Sequence, residues 1–209
     1  MAELTDILNS APVKPQEERG YIGASSIGGS CDRAIWYGYK NVSRETLDAR
    51  RARTFDIGKV LERYILEKLE SCKIFTMTTE LCEKRFPIFK GTPDGIICNA
   101  ILEIKTAKDS SFRIFQKKGL YEWNRQYYAQ LQAYMGMASL GEGYLLALNK
   151  DTSELHDEKI YFDAQYYERL LEKTAWITSL DEAPMRINNN PGFYMCRGCD
   201  FRKVCHDAR

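Results

Sequence analysis

Thr92-Pro93-Asp94-Gly95-Ile96-Ile97-Cys98-Asn99-Ala100-Ile101-Leu102-Glu103-Ile104-Lys105-Thr106 is the stretch on which the reading of the fold turns. Its Pro-Asp-Gly start is turn chemistry. Two short apolar runs follow, Gly95–Cys98 and Ile101–Thr106, with only Asn99 and Ala100 between them, so the spacing predicts a tight hairpin. Residues two apart in a strand share a face, which points Glu103 and Lys105 the same way. With Asn99 and Ala100 as a two-residue loop, Asp94 stands opposite Lys105 and Ile96 opposite Glu103, and cross-strand partners also share a face. Two carboxylates and one ammonium then converge on a single patch. A Glu-x-Lys after such a turn is, taken alone, more often a surface hairpin than a site, and the two readings separate only on register.

Outward from the hairpin the chain falls into regular periodicities. Residues 1–20 are polar, carry Pro12 and Pro15, and read as a flexible lead-in; residues 21–209 read as one domain, which 209 residues accommodate. A short helix is expected over Ser25–Tyr39. Over Leu47–Leu69 the residues Phe55, Ile57, Val60, Leu61, Tyr64, Ile65 and Leu69 trace one broad apolar stripe, the pattern of a buried-face helix. Strands are expected at Ile74–Glu83 and Arg85–Phe89 before the turn. After the hairpin come helices over Ser110–Lys117 and Tyr121–Leu140, strands at Gly143–Asn149 and Glu154–Phe162, and a helix over Ala164–Leu180. The tail from Pro184 reads as loop. This order predicts a mixed α/β core.

Paired carboxylates suit a hard divalent cation such as Mg²⁺. Bound there, such an ion polarises a phosphoryl oxygen and activates water, while a lysine beside it offsets charge building on phosphate. Two further features join the hairpin. Glu62, in Gly58-Lys-Val-Leu-Glu62, lies next to Leu61 in the apolar stripe, where an acid is either paired or functional. Gln130 and Tyr134, four apart in a helical stretch, share a face. That pair reads either as a satisfied core pair or as a donor set for a phosphate or a metal-bound water.

In chain order, Gly58–Glu62, Asp94 with Glu103-Ile104-Lys105, and Gln130 with Tyr134 resemble the motifs of the RecB-like branch of PD-(D/E)xK nucleases. The resemblance implies a restriction-endonuclease-like α/β core, a central mixed β-sheet flanked by helices. It also implies Asp94 and Glu103 as ligands of Mg²⁺ or Mn²⁺, joined by the Ile104 carbonyl and Glu62, with Lys105 as the catalytic lysine. Gln130 and Tyr134 would position substrate. Many RecB-like members, the CRISPR-associated ones included, carry a histidine where this chain has Glu62; an acid there is similar to phage recombination exonucleases.

Seven cysteines without a secretory signal do not suggest a disulfide framework, because the cytosol keeps thiols reduced. Cys72, Cys82 and Cys98 lie in apolar or strand-like stretches and read as packed thiols. Cys196-x2-Cys199-x5-Cys205 is different, since its x2 step is a metal-centre bite. Cys31, which opens a helix far upstream, is the candidate fourth ligand. One early cysteine and a late C-x2-C-x5-C resemble the iron–sulfur subgroup of the same nucleases, which implies a C-terminal [4Fe–4S] cluster segment tying the two chain ends together. Zinc on Cys196, Cys199, Cys205 and His206 is the alternative, although adjacent Cys205 and His206 would have to wrap one ion.

A net charge of +1 gives no global basic excess, so any nucleic-acid surface must be local. Arg44, Arg50, Arg51, Arg53, Lys59 and Arg63 form one candidate group; Lys105, Lys108, Arg113, Lys117 and Lys118 form another. No apolar run reaches the ~18 residues of a membrane span, and the chain reads as cytoplasmic. The expectation is a metal-dependent deoxyribonuclease, an exonuclease on DNA ends in phage-type recombination or repair. The alternatives are a CRISPR spacer-acquisition nuclease and a non-catalytic DNA-binding scaffold. DNA is the expected partner, with a homo-oligomer or recombination and adaptation proteins as further partners.

Overall fold

The structure is a computed structural model that describes residues 3–14 and 18–207. Residues 1–2 and 15–17 of the expected lead-in lie outside the described residues. In chain order the elements are α1 (Leu4–Asn9), β1 (Ile22–Gly23), α2 (Ala24–Ile27), α3 (Asp32–Tyr39), α4 (Ala49–Ser71), β2 (Phe75–Thr76), β3 (Leu81–Cys82), β4 (Phe89–Gly91), β5 (Gly95–Ile97) and β6 (Ala100–Ala107). There follow α5 (Asp109–Trp123), α6 (Arg125–Ala138), β7 (Glu142–Asn149), β8 (Leu155–Tyr161), α7 (Ala164–Ser179), α8 (Tyr194–Arg197) and α9 (Arg202–Asp207). The five-stranded sheet runs β2-β5-β6-β7-β8 and is mixed: β6 pairs antiparallel with β5 and parallel with β7. A second, three-stranded sheet runs β1-β4-β3.

The expected mixed sheet with flanking helices is present, and several local expectations are corrected. The hairpin turns at Cys98 and Asn99, with Ile97 paired to Ala100, rather than at Asn99 and Ala100. Both turn residues have positive φ (49° and 63°), the geometry of a two-residue hairpin turn, and Asn tolerates it well. The expected helix over Ser25–Tyr39 is broken between Gly28 and Cys31 into α2 and α3. The expected strand over Ile74–Glu83 is two short strands in different sheets, and the one expected over Arg85–Phe89 begins only at Phe89. The lead-in contains α1, held by Arg53, whose guanidinium donates to the Leu8 carbonyl at 3.2 Å and to Asn9 Oδ1 at 2.8 Å. The tail carries α8 and α9.

The stripe on α4 is the largest departure. Ile65 is buried, with Leu66 and Leu69 partly so, but Phe55, Ile57, Val60 and Tyr64 are exposed. The C-terminal half of the helix packs on one face of the sheet through Ile65, Leu102 and Ile104. Its N-terminal half instead walls a cleft in which Phe55, Lys59 and Glu62 stand. Cys72, Cys82 and Cys98, expected as packed thiols, are all exposed, because they cap α4, sit on an edge strand and occupy the hairpin turn.

The main core lies on the other sheet face, where α6 covers Ile101, Leu145 and Ala147 with Leu131 and Met135, and α7, packed on α6, adds Leu171 and Ile177. Helix α6 is seated by a close approach. A Cβ at Gly28 would stand 2.5 Å from Ala129 Cβ and 2.8 Å from Gln126 Cα. Neither neighbour is the end of a flexible side chain, so only glycine lets the α2 terminus meet α6 there. Gly28→Val is expected to destabilise the chain by about 1–3 kcal/mol, the usual cost of overpacking. Gly141→Ala has nothing within 4 Å of the added carbon and should change little. Urea-denaturation midpoints measure both, and equal effects would refute the packing account.

Candidate active site

Strand β6 alternates its side chains between the two faces of the sheet. Leu102 and Ile104 face α4, while Ile101 joins the main core beneath α6. Glu103 and Lys105 therefore emerge on the α6 side. Glu103 is only 2% exposed. Its Oε1 accepts from Lys105 Nζ at 2.5 Å and from Gln130 Nε2 at 2.7 Å. Its Oε2 is buried and has no hydrogen-bond partner among the described residues.

Asp94 arrives by a register different from the expected one. With Gly95 opposite Leu102, the pairing continued by one residue sets Asp94 opposite Glu103, not Lys105. Moving a two-residue turn by one position shifts every pairing by two. Parity, and so the shared face, survives. Strand β5 stops at Gly95, and the Asp94 side chain takes over its ladder role: Oδ2 accepts from the Ile104 N–H at 2.6 Å. Glu62 sits one helical turn before the buried Ile65, which carries it to the cleft that Ile104, Lys105 and Thr106 also line.

These groups feel one another. Burial raises the pKa of Glu103 from the ordinary 4.5 to about 8, against the pull of Lys105, and the charge of Asp94 adds to the rise. Burial also raises Asp94, offset in part by the Ile104 N–H and Lys105. Glu62 is raised by burial and then by Asp94. Lys105 is drawn down by burial, but Glu103 and Asp94 more than reverse this, so its pKa rises and the ammonium stays charged.

Gln130 and Tyr134 are buried, at 4% and 3% exposure. Gln130 donates to Glu103 and, at 3.3 Å, to the Tyr134 hydroxyl, which in turn donates to the Thr92 carbonyl at 3.0 Å. Gln130 thus holds Glu103, and Tyr134 holds the turn that leads to Asp94. Tyr127 is the residue the sequence reading missed. Its ring lies 4.8 Å from Lys105 Nζ and lines the cleft. The available signal was its place three residues before Gln130, on the same helical face. Asn124 fixes that start, since its Oδ1 accepts from the N–H of Gln126 and of Tyr127.

The donor set suits a hard cation, because an orphaned buried carboxylate oxygen beside two further carboxylates is costly unless something positive meets it. Even so, among the described residues no three His, Cys, Asp or Glu side chains are gathered so that they could hold a metal ion as they stand. The carboxylates approach without closing into a ligand shell.

A second cluster forms at the chain ends. Cys31, Cys196, Cys199, Cys205 and His206 line one cavity, and all these cysteines are free thiols. Burial and then the neighbouring Cys31 push the Cys196 thiol up. Cys199 is likewise raised, by burial first. Thiols distant in the chain thus line one cavity, while among the described residues no three of them are gathered so as to hold a metal ion.

No family model matches the chain, and no curated protein sequence is significantly similar. Solved structures are. The fold is similar to that of LHK-Exo in complex with dAMP, with 14% identity, a TM-score of 0.61, and coverage of 78% of this chain and 88% of that one. A second structure of that protein, an alkaline exonuclease from Laribacter hongkongensis, gives a TM-score of 0.60 at the same identity and coverage. The structure of SSO0001 is 20% identical with a TM-score of 0.59, covering 98% of this chain and 96% of that chain. At these identities the likeness establishes the fold. Among the described residues no helix is long and apolar enough to cross a membrane.

The raised Glu103 has a thermodynamic consequence. In the unfolded chain it ionises near the ordinary 4.5, whereas the folded chain keeps its proton up to about 8. Over that window the folded state holds a proton that the unfolded state lacks, so stability falls as pH rises. Urea denaturation without divalent ions should show this loss between about pH 5 and about pH 8. Glu103→Gln should flatten it. Added Mg²⁺ or Mn²⁺ should restore stability at the alkaline end, where the ionised carboxylate meets a counter-charge. Stability that instead climbs with pH through the window would contradict the burial of Glu103.

Proposed function

We propose that the chain is a Mg²⁺- or Mn²⁺-dependent deoxyribonuclease of the PD-(D/E)xK type that degrades DNA from its ends. The observation that carries this reading is Glu103: buried, with one oxygen held by Lys105 and Gln130 and the other without a hydrogen-bond partner among the described residues. A sheet interior has no structural use for such a group. The likeness of the fold to an alkaline exonuclease supports the reaction class, and the end-directed mode rests on it.

Asp94, Glu103 and Glu62, with the Ile104 carbonyl, would hold the divalent ion. When bound, such an ion polarises the phosphoryl group and makes water acidic enough to attack at neutral pH. Glu103 must give up its proton for this, which the raised Lys105 favours by keeping a positive charge 2.5 Å away. Lys105 faces the cleft from between Glu103 and the Tyr127 ring. From there its ammonium meets the negative charge that develops on a phosphate. Gln130 fixes the rotamer of Glu103, and Tyr134 fixes the Thr92 carbonyl, two residues before Asp94. Neither needs to touch DNA.

End-labelled single-stranded and duplex DNA with Mn²⁺, with Mg²⁺ or with neither tests the reading directly. Shortening from the label inward is expected only with metal. Lys105→Ala and Asp94→Asn should each lower the rate by roughly 10²–10³-fold, the scale for losing one electrostatic element of such a centre. Cutting by either variant at the wild-type rate, or no cutting of any DNA form by wild type, would refute it.

The cavity shared by Cys31, Cys196, Cys199 and Cys205 is proposed as the seat of a [4Fe–4S] cluster. The donor set fits, because each thiolate of such a cluster binds its own iron and the four need not crowd one ion. Joining Cys31 to Cys196 closes a loop of most of the chain, which would restrict the unfolded state strongly. Protein purified anaerobically should be brown, with broad absorbance near ~400 nm, and Cys199→Ser should lose both colour and thermal stability. A colourless protein with one equivalent of zinc would overturn the assignment.

A further inference from the structure

The catalytic cleft does not end at the catalytic centre. Arg19, Arg44 and Asp200 line it together with Glu62, Ile104 and Lys105. The same three residues line a second cleft, which runs past Tyr21, Tyr39 and Gln126 to Cys31 and Cys199. Arg19 is the junction. It is exposed, and its backbone N–H donates to Asn41 Oδ1 at 3.0 Å, which fixes the point from which the side chain reaches. Its charge is felt by the buried Tyr134 hydroxyl, so it lies within electrostatic range of the centre.

The lining of the two clefts has a common composition. Lys14, Arg53 and Lys59 stand with Phe55 and Tyr127 in the first. Arg19, Arg44 and Arg51 stand with Tyr21 and Tyr39 in the second. Cations interleaved with partly exposed rings hold a phosphate backbone and stack its bases, and stacking requires bases that are not paired. Two of the arginines also have structural work. Arg51 donates to Asp200 Oδ1 at 2.9 Å, and Arg44 lies over the Phe201 ring. Arg19 lines both clefts and forms no ion pair among the described residues, so its charge is available to a strand's backbone at the crossing.

We infer that one single strand of DNA lies through both clefts, crossing Arg19, so that the second cleft binds nucleotides beyond the bond to be cut. This rests on the deoxyribonuclease reading for the identity of the polymer. It adds a binding site that the catalytic residues do not require. The cysteine segment, which supplies Cys199, Asp200 and Phe201 to the second cleft, becomes one wall of the strand's path.

Fluorescence anisotropy of labelled oligothymidylates on the full chain, without added divalent ions, reads binding apart from turnover. Affinity should rise with length past the first few nucleotides and then level off once both clefts are filled. Arg19→Ala should remove most of the gain from length, about tenfold for the long oligonucleotides, and lower the salt slope by about 0.7. Arg19→Lys should restore part of it. Arg169→Ala, on α7 and over Tyr166, should bind as wild type does. Unchanged length dependence in Arg19→Ala overturns the inference. So does equal weakening by Arg169→Ala, tighter binding of duplex than of single strand at equal length, or no binding at all. A chain that binds in this way but never cuts would support the strand path and remove the deoxyribonuclease reading; a chain that cuts while Arg19→Ala binds normally would do the opposite.

Discussion

A carboxyl group buried in the middle of a β-sheet is the constraint around which this molecule is arranged. Glu103 costs free energy to bury. The chain offsets that cost at one oxygen only, through Lys105 and Gln130. The supports are themselves supported. The Tyr127 ring flanks the ammonium, Asn124 starts the helix that carries Tyr127 and Gln130, and Gly28 allows that helix to settle against α2. The other oxygen has no hydrogen-bond partner among the described residues. Packing rules alone do not produce that asymmetry, since a glutamine or leucine at the same position would satisfy the sheet better.

Much of this was legible in the chain because the signals were local. Period-two alternation placed Glu103 and Lys105 on one face, and the Pro-Asp-Gly turn placed Asp94 near them. The turn lies one residue earlier than expected, since Cys98 carries no turn signature, yet Asp94, Glu103 and Lys105 still share a face because such a slip preserves parity. What could not be read depended on tertiary choices. The apolar run of α4 has the periodicity of a buried helix, but only Ile65 and its neighbours find the sheet, because the other half of the helix walls a cleft. Gln130 and Tyr134 are four apart in any helix. That they face inward, toward Glu103 and the Thr92 carbonyl, is decided by how α6 docks.

The cysteines illustrate the same division. Spacing separated Cys196, Cys199 and Cys205 from the rest, and the four expected partners do line a common cavity. The exposed positions of Cys72, Cys82 and Cys98 were not legible, because a thiol among apolar residues is as compatible with an edge strand or a turn as with a core. The C-terminal segment also grips residues near the start of α4: the Glu45 N–H donates to the Asp200 carbonyl at 2.7 Å, and the Lys203 N–H to Glu45 Oε1 at 2.8 Å. The C-terminal segment is thereby tied to the stretch that leads into α4.

The parallel pairing of β6 with β7 has a consequence for how the centre comes into being. Asp94, Glu103 and Lys105 belong to a hairpin closed by two residues, and such contacts are cheap in chain entropy and quick to form. Gln130, Tyr134 and Tyr127 ride on the crossover between β6 and β7, whose closure spans two helices and is slower. During synthesis the acids and their lysine can meet before the amide and the phenol arrive to hold them. The nascent hairpin carries the acids and their lysine in the right order but not in a fixed geometry, and the cluster is set only when the crossover docks.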